Sequence, residues 1–561
     1  MKKKSIAVLS ALMLFSCGTV VEEKNSYPSS TVEVSSSSSV KKEESSKEKE
    51  HSSVISSSLE SSSLPSSTEE SSLSTSTSLS SSSAEEESLF DYEYQAPALL
   101  PTISIKTNDN SNDFATLPNR LEKWDYVDAK VSVSNCDEDY ELEDVDAGVK
   151  VRGNYTANYS KKPFRIKFKK KQKMLGLNDD LKAKSWVLLA EVKDASMLHN
   201  AYSFYLGNQL LGQQGLYCSD FVPVSLEINN TYWGMYLLCE QQQVNSGRVN
   251  ITDVEDLDDE QGNHYLGNDI GYLFEYDGYY EQEGEDGDPT FTINHPQDNI
   301  PTFKGGSAWC GQHGYTIKST IYNDNQKSYL KKYLENLFKL SYKAIINHQY
   351  FSFDANKQNL LASGAIDSES LIKQYIDIDS LVDTYIIQEI SCDPDIGWSS
   401  FYMSVDMSST GNQKLTFQAP WDYDSAYGIK KDVVNDGLGY YAAKSGNPWL
   451  TLFMNASWFR DMVKARWKDL VIHGVFQKGF QLLNDYSTKY EEDYSSNFAK
   501  WPNSISSSSE ASDELTDTIN GYTSEKQCET YLYNWLHTRL NYLTKEFYQS
   551  IDVITNEAIA E

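Results

Sequence analysis

Hydrophobic and polar positions along this chain fall into two regimes. Between about Ile103 and Ile251, residues 129–134, 149–152, 164–168, 186–190, 222–228 and 233–239 are short alternating or apolar runs rich in Val, Ile and aromatics. That is the pattern of strands with a buried face. Asn229-Asn230, between the last two runs, is a hairpin signal. From Tyr329 onward the period lengthens: Leu330, Leu334, Leu337, Phe338 and Tyr342 share one helical face, and Leu381, Tyr385, Ile386 and Ile390 form a second helical run. Between the regimes, 252–318 is acidic and Gly-rich with one strand-like run, 271–276. The pattern predicts an α+β chain in two lobes, with a β-rich N-lobe over 96–252, an acidic inter-lobe segment over 253–326 and a helical C-lobe over 327–561.

The first 95 residues add almost nothing to a core. Met1-Lys-Lys-Lys followed by apolar residues 6–15 is a leader, and Leu14-Phe-Ser-Cys17 reads as a bacterial lipobox, making 1–17 a lipoprotein signal peptide with Cys17 lipidated. A plain secretory signal that happens to contain Cys17 is the alternative. Residues 18–95 are Ser, Glu, Thr and Lys with hardly an aromatic before Phe90. Such a segment cannot bury enough apolar surface to offset its ordering entropy, so a disordered tether is expected. The protein is expected to be extracytoplasmic, attached to the bacterial cell membrane by its lipid anchor only.

Charge and cysteine content narrow the partners. A net charge of −32 disfavours nucleic acid. It suits a basic protein substrate, and equally a solvated acidic surface on an exported protein. Six cysteines beyond Cys17 have no C-x-x-C spacing, which argues against zinc and leaves any disulfide pairing open. The run Glu283 to Asp288 lacks the ligand spacing of an EF-hand and reads as a solvated loop.

The densest chemistry lies at Phe417-Gln-Ala-Pro-Trp-Asp-Tyr-Asp-Ser-Ala-Tyr-Gly428, where Asp422 and Asp424 follow a strand-like run as a candidate metal clamp. Upstream, the helical run stops at Cys392-Asp-Pro-Asp395, which puts Asp395 on a loop. The order helix, acidic loop, strand, strand, Asp resembles the catalytic half of kinases, in which one Asp orients the accepting hydroxyl and a later Asp holds Mg²⁺.

Together with Val149-Lys-Val-Arg-Gly-Asn-Tyr-Thr156, Lys161-Lys-Pro-Phe-Arg-Ile-Lys-Phe168, Lys184-Ser-Trp-Val-Leu-Leu-Ala190, Met197-Leu-His-Asn-Ala201, Trp233-Gly-Met-Tyr-Leu-Leu-Cys-Glu-Gln241, Gly247-Arg-Val249, Tyr375-Ile-Asp-Ile-Asp379, Asn447-Pro-Trp-Leu450 and Arg466-Trp467, these motifs resemble the CotH-type spore-coat kinase family, atypical protein kinases. The resemblance runs from about Ala98 to Leu543. It implies a kinase-like two-lobed fold that moves phosphate from ATP, with Mg²⁺ or Mn²⁺, to a protein substrate such as a surface or coat protein.

Carried onto this sequence, the resemblance makes Lys167 the ligand of the ATP phosphates and Asp395 the residue orienting the acceptor hydroxyl. Asp422 becomes the principal metal ligand, supported by Asp424. Arg165, on the same strand face as Lys167, is a rival; by pattern alone Lys167 is a solvent-facing strand residue. Arg152-Gly153-Asn154 would approach the phosphates, and Glu240 would pair with the phosphate-binding Lys or with a metal. One departure stands out: where protein kinases place an Asn for the second metal, five residues after the catalytic Asp, this chain has Ser400. Because ATP is scarce outside a cell, a non-catalytic adhesin or wall-layer protein on a kinase-like scaffold is the second reading. It requires an exposed aromatic patch and no convergence of Lys167, Asp395 and Asp422.

Overall fold

The computed structural model describes residues 90–548 apart from 91, 95, 117–124, 154, 295–298 and 311–312. All of these lie in the compact unit Glu85–Glu561. The signal peptide, its Cys17, nearly all of the 18–95 tether and Asn154 lie outside the described residues.

Seven strands close into a barrel: β1 (Thr102–Thr107), β2 (Val127–Ser134), β3 (Leu142–Val151), β4 (Phe164–Gln172), β5 (Ala183–Leu189), β6 (Phe221–Ile228) and β7 (Thr231–Cys239), in the order β1-β2-β3-β4-β5-β7-β6. A parallel β1–β6 pairing, Thr102 opposite Ser225, completes the ring. Alternation along β4 sends Phe164, Ile166 and Phe168 inward and leaves Arg165 and Lys167 outside. The expected hairpin joins β6 to β7 through Asn229 and Asn230, both at positive φ (49° and 60°), where Asn is tolerated better than most residues. Strands β5 and β7 are buried on both faces. Trp186, Leu188, Tyr236 and Leu238 fill the barrel, while Val187, Leu189, Met235 and Leu237 join a second core with helix α1 (His199–Leu210).

That second core holds a five-stranded sheet and the remaining long helices. Its strands are β8 (Gly271–Asp277), β9 (Thr290–Phe291), β10 (Gly314–Ile317), β11 (Phe401–Asp406) and β12 (Thr416–Phe417), ordered β12-β11-β8-β10-β9. Around it lie α2 (Asp324–Ile346), α3 (Ile378–Ser391), α4 (Ser457–Ile472), α5 (Val475–Lys489) and α6 (Glu525–Phe547). The chain is therefore a mixed α and β fold, as the pattern predicts.

Two boundaries read from the sequence move. Residues 253–326 do not stand apart as an acidic segment: β8 and β10 are fully buried in the five-stranded sheet, where β8 pairs with β11 from the 400s on one side and with β10 on the other. Glu283, in the acidic run, lies on a short helix and pairs with Lys318 at 2.5 Å. The tether ends before residue 95. Phe90 is 1% exposed with the Arg466 guanidinium 4.8 Å above its ring, Tyr92 donates to Asp220 at 2.8 Å, and Tyr94 stacks on Phe221 and Tyr486. Alternate aromatics at 90, 92 and 94 are the strand-like signal that a Ser-rich composition obscures. The six cysteines from Cys136 to Cys528 are free thiols, all buried except Cys136. No helix of the described residues is long and apolar enough to cross a membrane.

Candidate active site

Helix α3 starts at an Asp377 N-cap and ends at Cys392, whose φ of 48° turns the chain sharply. Asp393 then caps a single 3₁₀ turn, Pro394–Gly397, by accepting from the Asp395 N–H at 3.1 Å with Pro at the first helical position. This turn presents Asp395 at a partly exposed position, with the Lys430 ammonium 3.7 Å from its carboxylate.

The second acidic loop follows β12 and is clamped from two sides. Trp421 stacks on Phe204 of α1, and the Tyr423 N–H donates to Asn200 of the same helix at 2.9 Å. Gln388 of α3 donates to the Tyr423 hydroxyl, and the Tyr427 N–H donates to the Ser391 carbonyl at 2.7 Å. Asp422 itself sits at φ 71° and Ser400 at φ 61°. Non-Gly residues in this left-handed region cost about 1–3 kcal/mol each and persist only where their surroundings hold them. Here the two are tied together, since the Ser400 hydroxyl donates to Asp422 at 3.3 Å.

Glu275 of β8 holds the other side of that turn, accepting from the Ser400 N–H at 2.7 Å and the Ser399 hydroxyl at 2.9 Å. Lys318 neutralises it at 3.2 Å. Nearby Asp277 is pushed up to about 7 by burial and then by Glu275 and Glu283.

The electrostatics of the loop are those of crowded carboxylates. Burial, then Asp424 and Asp395, push Asp422 up to about 7, while Lys193 and Arg152 pull in the opposite direction. Burial and the neighbouring Asp395 likewise raise Asp393 well above the usual carboxylate range. On the cationic side, the Arg152 guanidinium lies 5.3 Å from the Trp421 ring. Burial, together with Arg152 and Arg248, holds Arg165 below its ordinary value, and its Nε is buried without a hydrogen-bond partner. Gly153 turns at φ 81°, and a Cβ there would run into the Thr156 hydroxyl.

Asp395, Asp422, Asp424 and Arg152 thus come into one electrostatic neighbourhood. Lys167 and Glu240 have other surroundings. Lys167 is exposed, with its ammonium 5.9 Å from the Tyr126 ring. The residue on its face that feels the Arg152 charge is Arg165, two residues nearer the turn. Glu240 is fully buried and pairs with Arg248 at 2.9 Å, so its cation is an arginine from the loop that follows β7 and not a strand lysine. Lys193, Glu191, Asp393, Glu275 and Glu514 were not singled out from sequence. Lys193 lies in the quoted motif region between Ala190 and Met197, yet no periodicity marks a side chain on a turn.

Among the described residues no three His, Cys, Asp or Glu side chains converge to hold a metal by themselves. The donors present nonetheless fit Mg²⁺, which is bound through one or two carboxylates and completes its shell with water and substrate phosphates. Asp422 and Asp424 are such a pair of neighbouring carboxylates on one clamped loop.

Fold and site together define a mixed α and β chain whose centre sets carboxylates against guanidinium groups. The chain belongs to the CotH kinase family: the family described as CotH kinase protein matches residues 149–543, well over half its length. No curated protein matches it.

Proposed function

We propose that this chain is an ATP-dependent protein kinase of the CotH type, built on a kinase-like two-lobed scaffold. The observation that carries the reading is the gathering of Asp395, Asp422 and Asp424 with Arg152 around one pair of clamped loops, with Arg165 in the electrostatic reach of Arg152. Phosphoryl transfer needs positioning and charge neutralisation more than covalent chemistry, and these are the groups that supply both.

In this reading Asp422 and Asp424 hold Mg²⁺ or Mn²⁺, which when bound neutralises the phosphate oxygens. Arg152 and Arg165 face the phosphates, and Gly153 lets the backbone turn toward them; Asn154 remains a candidate there. Asp395 accepts the proton of the acceptor hydroxyl as that oxygen bonds to the terminal phosphorus and the bond to the bridging oxygen breaks, the electron pair leaving with ADP. Ser400 holds Asp422 in its left-handed conformation, which gives the hydroxyl a positioning role in place of a second-metal amide. Lys167 is a proposed phosphate ligand through the family resemblance alone; Arg165, within the field of Arg152, is better placed. Glu240 serves by fixing Arg248 next to Arg165.

The adhesin reading gains no support from the surface. The exposed aromatics among the described residues are Tyr126, Tyr155 and Trp398, single residues on three different segments. The substrate we propose is a protein hydroxyl, on a basic or surface protein, and the setting extracytoplasmic with a lipid on Cys17. Cys17→Ser is expected to move the protein from membrane to soluble fractions, and retention in membranes after leader removal would contradict the anchor. The catalytic reading is tested by following label from ATP into protein with Mg²⁺ or Mn²⁺.

A further inference from the structure

Lys193 stands on the turn between β5 and α1, and that turn is rigid. Asp194 accepts from the N–H groups of Ser196, Leu198 and His199 at 2.8, 2.8 and 2.9 Å, locking the backbone that carries Lys193. The lysine side chain is only 8% exposed and reaches across to the second acidic loop, where it donates to the Ser425 hydroxyl at 3.0 Å. Its two carboxylate neighbours are farther away, Asp424 at 3.7 Å and Glu514 at 3.6 Å. The Tyr155 ring, from the turn after β3, lies 5.3 Å from the ammonium.

An ammonium has three donors. Here one of them makes a hydrogen bond, and the carboxylates are close enough to hold the charge but too far to satisfy the rest. Leaving donors of a buried cation unmade is costly unless another acceptor takes them. The Asp424 and Glu514 carboxylates flank the ammonium and hold it beside the acidic loop. It is set among the residue proposed to bind metal, the residue proposed to receive the acceptor's proton, and a turn that follows Arg152.

We propose that Lys193 is the lysine of this site: its free donors bind oxygens of the terminal phosphate of a nucleoside triphosphate, the group that is transferred. The assignment rests on the phosphoryl-transfer reading above and goes beyond it in naming which phosphate the residue meets. It also distinguishes Lys193 from a counter-ion that merely pins the 509–516 segment through Glu514.

The test is the ratio of affinities for two nucleotides, read by calorimetry with Mg²⁺ on the full-length protein. ADP lacks the terminal phosphate, and the β,γ-imido analogue of ATP carries it without turning over. Lys193→Met is expected to weaken the triphosphate analogue about ten- to hundredfold, the range for a hydrogen bond to a charged group, while ADP affinity changes little. Glu514→Gln, which cuts the tie to the C-terminal segment but keeps the ammonium, is expected to leave the ratio unchanged. Lys193→Gln, which can still reach Ser425, gives the same reading should the Met variant fail to fold. Equal weakening of both nucleotides, an unchanged ratio, or a Glu514→Gln effect matching that of Lys193→Met would overturn the assignment while leaving the kinase reading standing. Wild-type protein that binds neither nucleotide would overturn the kinase reading and the assignment with it.

Discussion

Asp422→Asn is expected to lose phosphoryl transfer by about a hundred- to thousandfold, the loss typical of removing one preorganised electrostatic contact, and to melt no lower than the wild type. The amide keeps the shape and can still accept from Ser400, but it lacks the charge that holds a divalent cation. Stability should move the other way. The Asp422 carboxyl is raised from 3.8 to about 7 by burial and by Asp424 and Asp395. Between about pH 4 and pH 7 the folded protein therefore keeps a proton that the unfolded chain has released, and stability falls as pH rises through that window.

At pH 8 without added metal the wild type carries the full cost of that buried charge, up to about 4 kcal/mol, and the Asn variant does not. Melting curves of the two should therefore separate between pH 4 and pH 7, with the variant the more stable, and converge below pH 4. Added Mg²⁺ should raise the wild type alone. If Asp422 and Asp424 act as one clamp, the double Asn variant should transfer little more slowly than Asp422→Asn, because a cation already lost cannot be lost again. A variant that transfers at the wild-type rate, or one that loses activity together with its cooperative melting transition, would contradict this account of Asp422.

The largest loss of stability is expected at Arg539→Met. Arg539 of α6 is fully buried and donates to the Glu389 carbonyl at 2.9 and 2.6 Å and to the Glu389 carboxylate at 2.7 Å. It also bonds the carbonyls of Gly437 and Gly439, so a single guanidinium ties the last long helix to α3 and to the loop beyond the acidic clamp. Glu389 in turn accepts from the Tyr385 hydroxyl at 2.7 Å and the Tyr441 N–H at 2.5 Å.

Removing one partner of a buried ion pair strands the other charge and costs on the order of 3–5 kcal/mol. The thioether of Met fills the volume but makes none of these bonds. A denaturant midpoint shift of that size should accompany Arg539→Met, and Arg539→Met with Glu389→Gln should be less destabilised than the sum of the single changes. Transfer per folded molecule should stay within a few-fold of wild type, since Arg539 touches no group assigned to the chemistry. An unshifted midpoint would show that the pair contributes nothing to stability.

Much of the fold was legible because its signals are local. The alternation of β4 reports the barrel interior directly, and the Asn229–Asn230 turn needs only its own backbone preference. The family resemblance rested on ordered motifs, and the match over 149–543 bears it out. What periodicity could not show was pairing at long range. The place of β8 and β10 in a sheet with β11, more than eighty residues later, is set by tertiary packing.

The same holds within the site. Asp422 and Asp395 were visible because Asp-x-Asp and Asp-Pro-Asp stand out at the ends of apolar runs. Lys193 was not, because its significance comes from Asp424 and Glu514, far along the chain. Lys167 and Arg165 alternate onto one strand face, and burial beside Arg152 and Arg248, which the sequence does not show, separates them.

The central claim, that this site moves phosphate from ATP to protein, is tested most directly by incubating the purified wild-type protein with ATP labelled at the terminal phosphate. Label should enter protein hydroxyls with Mg²⁺ or Mn²⁺, stop when the cation is chelated, resume when it is restored, and be reduced at least a hundredfold in Asp395→Asn at an unchanged melting temperature. No label under any of these conditions, or label that persists undiminished in Asp395→Asn or under chelation, would contradict it.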